Sequence, residues 1–252
     1  MRNGWAFLDW PAPVAVAHRG GGAERPENTM AAFQAAADLG FRYLETDVRM
    51  TADGVLVAFH DRRLERVTGR PGRMRDLTWD EVGALRAGGE PIPRFEEILS
   101  SFPGARLHVD AKEAAAVGPL VAAIERAGAH DRVCAGAFSA RRAARIRALT
   151  GGRVCTWMGT AGIARLRLAS LGLPAGNGAA APCAHAPVRH LRLAVVDRRF
   201  LDAAHARGVA VHAWTVNDRS EMERLADLGV DGILSDRPSV LREVLMARGR
   251  WR

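Results

Sequence analysis

The sequence predicts an α/β fold, a (β/α)8 barrel with a small insertion after its second strand. Three observations lead there. The chain has 252 residues, and a single barrel of this kind takes about 250. Short apolar runs alternate with helix-patterned stretches, the pattern of βα units feeding a parallel sheet. Polar, chemistry-bearing residues fall at the ends of the predicted strands, where a parallel barrel gathers its chemistry.

The elements follow in order. The first strand is Val14 to Ala17 and ends at His18. A helix is expected from about Thr29 to Leu39, with Asn28 as its N-cap and Gly40 just past its end. Tyr43 to Val48 is the second strand, and the Thr51 to Gly54 turn leads into an extra strand, Val55 to Phe59. The arginine- and glycine-rich stretch from about 61 to 93 does not fit a bare repeat. It reads as an insertion over the barrel mouth, with a short helix near Thr78 to Arg86. Regular units resume with helix Phe95 to Ser101, strand Arg106 to Ala111, helix Ala114 to Ala127, strand Arg132 to Ala137 and helix Ala140 to Leu149. From Gly159 to about His190 the pattern blurs, and strand six has no clear position. Helix Arg198 to Arg207, strand Val209 to Trp214, helix Arg219 to Leu228, strand Gly232 to Leu234 and helix Ser239 to Met246 complete the series. No linker or shift in composition divides the chain, so residues 1–252 are expected to form one domain.

Composition sets outer limits on function. Hydrophobic residues make up 48% and charged residues 25%, an ordinary balance for a globular protein. No apolar run approaches the roughly 20 residues of a membrane span. The apolar stretch from Trp5 to Val16 is broken by Asp9, Pro11 and Pro13, which argues against a signal peptide and for a cytoplasmic protein. The net charge of +8 comes almost wholly from scattered arginines, with no basic block interleaved with aromatics. That pattern excludes a nucleic-acid module and any stable membrane insertion, and leaves a general attraction for anions. Cys134, Cys155 and Cys183 are far apart and odd in number, without a CxxC pair, so they read as three reduced thiols packed as small apolar groups. His108, His130, His185, His190, His205 and His212 read as packing or surface residues.

Four groups of polar residues carry the chemical argument. Glu45 and Asp47 lie two apart on a strand and so point to one face. Two carboxylates that close are unfavourable without a cation between them, and an oxygen-only site suits Mg2+ or Ca2+, with Mn2+ also acceptable. Asp110 and Lys112 repeat the spacing on the next strand, adding a third carboxylate beside a compact point charge. Lys112 is the single lysine of the chain. His18 ends a buried strand and precedes Arg19 and three glycines, whose backbone N–H groups can approach an anion closely. His60 ends an apolar run before Asp61, and two histidines can divide general base and general acid work near neutral pH. Trp214 follows the seventh strand.

Taken in order, His18-Arg19-Gly20, Pro26-Glu27-Asn28-Thr29, Glu45-Thr46-Asp47, His60-Asp61, Trp214-Thr215-Val216-Asn217 and Asp231 to Asp236 resemble the successive motifs of the glycerophosphodiester phosphodiesterase family. The resemblance runs from about Val14 to Pro238 at near-usual spacing. It implies metal-dependent hydrolysis of a small glycerophosphodiester to sn-glycerol 3-phosphate and an alcohol. His18 would then accept a proton and His60 donate one. Glu45 and Asp47 would bind the metal, Arg19 and Lys112 would hold phosphate oxygens, and Trp214 would line the pocket. The third strand departs from the family pattern, carrying Asp110-Ala-Lys112 where Glu-x-Lys is usual. The shorter side chain can still ligate a hard cation. Two rivals stand beside this expectation: a phospholipase D-like enzyme acting on lysophospholipids, with Trp5, Trp10 and Trp251 touching a membrane surface, and a non-catalytic barrel that binds phosphorylated metabolites.

Overall fold

The structure, a computed structural model, describes residues 4–11, 13–175, 181–191 and 193–251. Eight parallel strands close into a barrel: β1 Val14–Ala17, β2 Tyr43–Met50, β3 Arg106–Ala111, β4 Val133–Gly136, β5 Cys155–Met158, β6 Cys183–Pro187, β7 Ala210–Trp214 and β8 Gly232–Ser235. Each strand pairs with its sequence neighbours, and β1 closes the ring by pairing with both β8 and β2. Strand six, illegible in the sequence, is Cys183–Pro187, and residues 176–180 of the blurred stretch lie outside the described residues.

Side chains of a strand alternate between two faces, and here the two faces build two cores. Outward residues such as Leu44, Leu107, Val109, Val133 and Val211 pack against the surrounding helices. Inward residues Val14, Val16, Tyr43, Cys134, Cys155, Trp157, Cys183 and Leu234 fill the barrel with Phe7 and Leu8. Phe7, in a short turn of helix at Ala6–Leu8, closes the N-terminal end, and its carbonyl accepts a 2.6 Å hydrogen bond from the Tyr43 hydroxyl. Trp5 and Trp10 pack, partly buried, onto this interior core and Trp251 onto Phe41, so the three tryptophans available to the lysophospholipid rival are engaged within the fold. Among the described residues no helix is long and apolar enough to cross a membrane.

The insertion begins with the extra strand, Leu56–Ala58, antiparallel to the end of β2. Helix Glu65–Thr68 and helix Trp79–Gly83 follow, and a separate small core of Val57, Phe59, Leu64, Met74, Val82 and Ile92 holds them. Thr78 and Glu81 form a reciprocal capping box at the second helix, which explains its short, defined start.

One expected cap is corrected. Helix α1 spans Met30–Asp38, and Thr29, not Asn28, is its N-cap, its hydroxyl accepting from the Ala32 N–H at 3.2 Å. Asn28 has a left-handed backbone (φ 57) and sends its side chain into the barrel mouth instead. Asparagine tolerates that conformation better than most residues, so the feature that suggested a cap serves a sharper turn.

Candidate active site

The ends of β1, β2, β3 and β7 bring His18, Arg19, Glu45, Asp47, Asp110, Lys112 and Trp214 to one cavity, with His60 arriving from the loop after Leu56–Ala58. Phe138, Trp157 and His185 complete its apolar side. All eight residues singled out in the sequence meet at this ≈ 80 Å³ space.

Register explains the carboxylates. Asp47 on β2 lies directly beside Asp110 on β3, and Glu45 beside His108 one layer down. Lys112 Nζ bridges the pair, 2.8 Å from Asp47 and 2.6 Å from Asp110. Asp47 also receives the Asn28 amide at 3.1 Å and faces Arg19 Nε at 3.3 Å. Burial works against its charge, but Lys112 and Arg19 hold its carboxyl well below the ordinary range. Glu45 is less well compensated: burial and the neighbouring Asp47 push it up to about 7. Burial likewise raises Asp110, whose Oδ1 is buried without a hydrogen-bond partner.

The strained turn after β1 is part of the site. Arg19 has φ 54, and Gly20 and Gly21 have φ 79 and 104. A Cβ on Gly20 would come within 2.8 Å of Ala32, so this turn can lie tight against α1 only with glycine there. The turn aims the Arg19 backbone N–H at Glu45 Oε2 (2.9 Å) and its guanidinium at Glu27 (3.0 Å).

Each histidine is oriented by its own aspartate. His18 Nδ1 lies 2.6 Å from Asp236, and its Nε2 points toward Glu45 at 3.8 Å. Burial opposes a charge on His18, but Glu45 and Asp236 raise its pKa overall. His60 Nδ1 lies 2.6 Å from Asp61. Burial, reinforced by Lys112, lowers its pKa despite Asp47 and Asp61. The aspartates differ in their own company: Asp236 is held by the Asn217 amide at 2.8 Å, whereas Asp61 is shared with Arg66 at 2.6 Å. Arg66 also grips Glu27 at 2.6 Å, tying the insertion to the loop that carries Arg19's partner.

Strand ends alone pointed to no role for Asp236, Asn217, Arg66 and Phe138, and Asn28 was expected only as a helix cap. Asp236 was legible in principle, as a carboxylate at the end of the last strand. Phe138 packs edge-on to Trp214 at 5.3 Å and under Lys112 Nζ at 5.4 Å, a contact between non-neighbouring loops that spacing does not reveal.

Comparison with known proteins agrees with this geometry. The model of the glycerophosphoryl diester phosphodiesterase family matches residues 18–240. The probable glycerophosphodiester phosphodiesterase 2 of Mycobacterium tuberculosis is 42% identical, over 97% of this chain and 95% of its own. The glycerophosphodiester phosphodiesterase of Caldanaerobacter subterraneus is 27% identical, over 94% and 99%. The structure of an Oleispira antarctica phosphodiesterase in complex with the product sn-glycerol-3-phosphate superposes with a TM-score of 0.77 at 24% identity, covering 93% of this chain and 97% of that one. A barrel whose strand ends converge on paired carboxylates, a lysine and two aspartate-oriented histidines, with the family pattern running almost from end to end, belongs to the glycerophosphoryl diester phosphodiesterase family.

Proposed function

We propose that the protein hydrolyses small glycerophosphodiesters to sn-glycerol 3-phosphate and an alcohol, using a divalent cation at Glu45, Asp47 and Asp110. The observation that carries the metal is the imbalance of the carboxylates. Glu45 is pushed up to about 7, and Asp110 Oδ1 is a buried acceptor with nothing to accept. A hard cation on this oxygen-only set would relieve both. Bound there, it would supply charge neutralisation and an acidified water or hydroxyl.

The protein's own groups do the rest. Arg19 and Lys112, facing the same cavity, hold phosphoryl oxygens and stabilise charge that builds on them. His18 stands beside Glu45 with Nδ1 pinned to Asp236, so its Nε2 accepts the proton of the nucleophile. Burial opposes a charge on this ring, but Glu45 and Asp236 raise the His18 pKa overall. Neutralising Glu45 lessens that rise, so loading the site and readying the base are linked. His60, on the other side of the cavity, donates to the leaving oxygen. Trp214, Phe138 and Trp157 give the alcohol side an apolar wall. The barrel and its insertion act as one domain in this reading. Three buried free thiols support a reducing, cytoplasmic setting.

The test is a panel of glycerophosphodiesters and lysophospholipids, assayed for sn-glycerol 3-phosphate with and without EDTA. Activity should vanish on chelation and return with Mg2+, Ca2+ or Mn2+. Full activity after exhaustive chelation would remove the metal from the proposal. Turnover of lysophospholipids alone would favour the phospholipase D-like rival, and binding without turnover the metabolite-binding one.

A further inference from the structure

Below the active site the barrel interior changes character. A barrel of this kind usually fills its centre with bulky branched aliphatics. Here the inward positions of β3 to β7 carry His108, Cys134, Cys155, Cys183, His185 and His212, all buried. The residues are far apart in sequence, and only the closure of the sheet joins them. His185 Nε2 lies 2.9 Å from His108 Nδ1, and His108 Nε2 lies 3.1 Å from His212 Nδ1. One nitrogen from each of the three rings falls within 4.8 Å of the others. Cys183 lies two residues before His185 on the same strand, so its side chain faces the same barrel interior, where it is fully buried. Cys134 and Cys155 share that interior core with Cys183.

The surroundings hold this set in place. The Trp157 ring stacks on His185 at 4.8 Å and 4° from above. Phe7 packs edge-on to His108 at 4.7 Å from below. Gly232 leaves room for His212, since a Cβ there would come within 2.7 Å of the imidazole. A cavity of ≈ 250 Å³ at the N-terminal end of the barrel is lined by Trp10, Tyr43, His205, Asp231 and His212.

We propose that His108, His185, His212 and Cys183 form a second, structural metal site for Zn2+, separate from the oxygen site above it. Three imidazoles and a thiolate are the donors that Zn2+ takes, while Mg2+ and Ca2+ prefer oxygen. Four protein ligands close the coordination shell, which is the mark of a structural site. Binding releases the Cys183 thiol proton to solvent and leaves the three imidazoles neutral. Cys134 then supports the thiolate as an outer donor. The rival is a ring of neutral hydrogen bonds, since three imidazoles and one thiol carry four hydrogens between them. That ring leaves no reason for soft donors where aliphatics pack at less cost.

Cobalt distinguishes the two. The full chain, stripped of metal, is titrated with Co2+ and followed by absorption. The expected result is a thiolate-to-cobalt charge-transfer band and tetrahedral ligand-field bands that saturate at one equivalent. Zn2+ should bleach both, and excess Mg2+ neither. Cys183→Ser, nearly isosteric, should lose the charge-transfer band, and Asp47→Asn with Asp110→Asn should retain it. No thiolate band in the parent protein would overturn the site, whatever the variants do. A band that survives Cys183→Ser, or that disappears with the two asparagine substitutions, would overturn it as well.

Discussion

At the scale of single residues, the two histidines differ more in their partners than in their positions. Both are aspartate-oriented, but Asp236 has the neutral Asn217 beside it and Asp61 has Arg66. General acid–base groups contribute about 100- to 10,000-fold each, so His18→Ala and His60→Ala should each lower kcat by that order with the fold intact. If His60 protonates the leaving oxygen, His60→Ala should regain much of its rate on a p-nitrophenyl phosphodiester relative to a choline diester, because a weakly basic leaving group needs little protonation. His18→Ala should not. Equal losses on both substrates in both variants would overturn the division of roles. The Glu45 carboxyl sets a pH dependence of a different kind. It titrates at about 7 in the cation-free protein, so below that pH a metal ion must displace a proton. Divalent-ion affinity should therefore fall by up to about tenfold per pH unit on acidification below 7, and level off above it. Calorimetric titration at several pH values would reveal a flat profile if Glu45 is not a ligand.

At the scale of elements, the turn from β1 into α1 serves two masters with adjacent residues. Thr29 caps the helix, and Asn28, in a left-handed conformation, orients Asp47 through Nδ2 at 3.1 Å while its Oδ1 receives the Thr46 hydroxyl at 2.8 Å. Thr29→Ala should cost about 1 kcal/mol of stability in chemical denaturation and little activity. Asn28→Ala should do the reverse, weakening metal binding by about 10- to 100-fold, the usual effect of removing a group that orients a ligand. The sequence assigned the cap to Asn28 because both residue types cap helices well. Which of the two does so depends on the direction of the chain entering the helix, and the tight packing of Gly20 on Ala32 dictates that direction.

At the scale of the whole molecule, the barrel has two ends with different duties. The cavity proposed for phosphodiester chemistry lies at the C-terminal mouth, and Phe7 packs at the N-terminal floor against Tyr43 and His108. Phe7 is only 1% exposed, so Phe7→Ala should destabilise the protein by about 3–5 kcal/mol in urea unfolding. A loss below about 1 kcal/mol would mean that the floor collapses to fill the space. That role was hidden in the sequence, where the apolar N-terminal stretch offered no sign of where it would fold back.

The sequence by itself pointed to the barrel and to eight residues that the fold brings to one cavity. Glu45 and Asp47, like Asp110 and Lys112, sit two apart at strand ends, and period-two alternation carries each pair to one face whatever the packing outside. Strand six escaped because Cys183-Ala-His-Ala-Pro187 lacks the branched aliphatics that mark a strand. Tertiary structure alone decided that Lys112 also reaches Asp47, that Asp236 stands behind His18 and that three histidines meet in the barrel interior. These contacts join residues far apart in the chain that the closed sheet brings together, so their spacing along the chain carries no trace of their distance in space. A histidine that looks solitary in the sequence becomes part of a cluster only when the ring of strands closes around it.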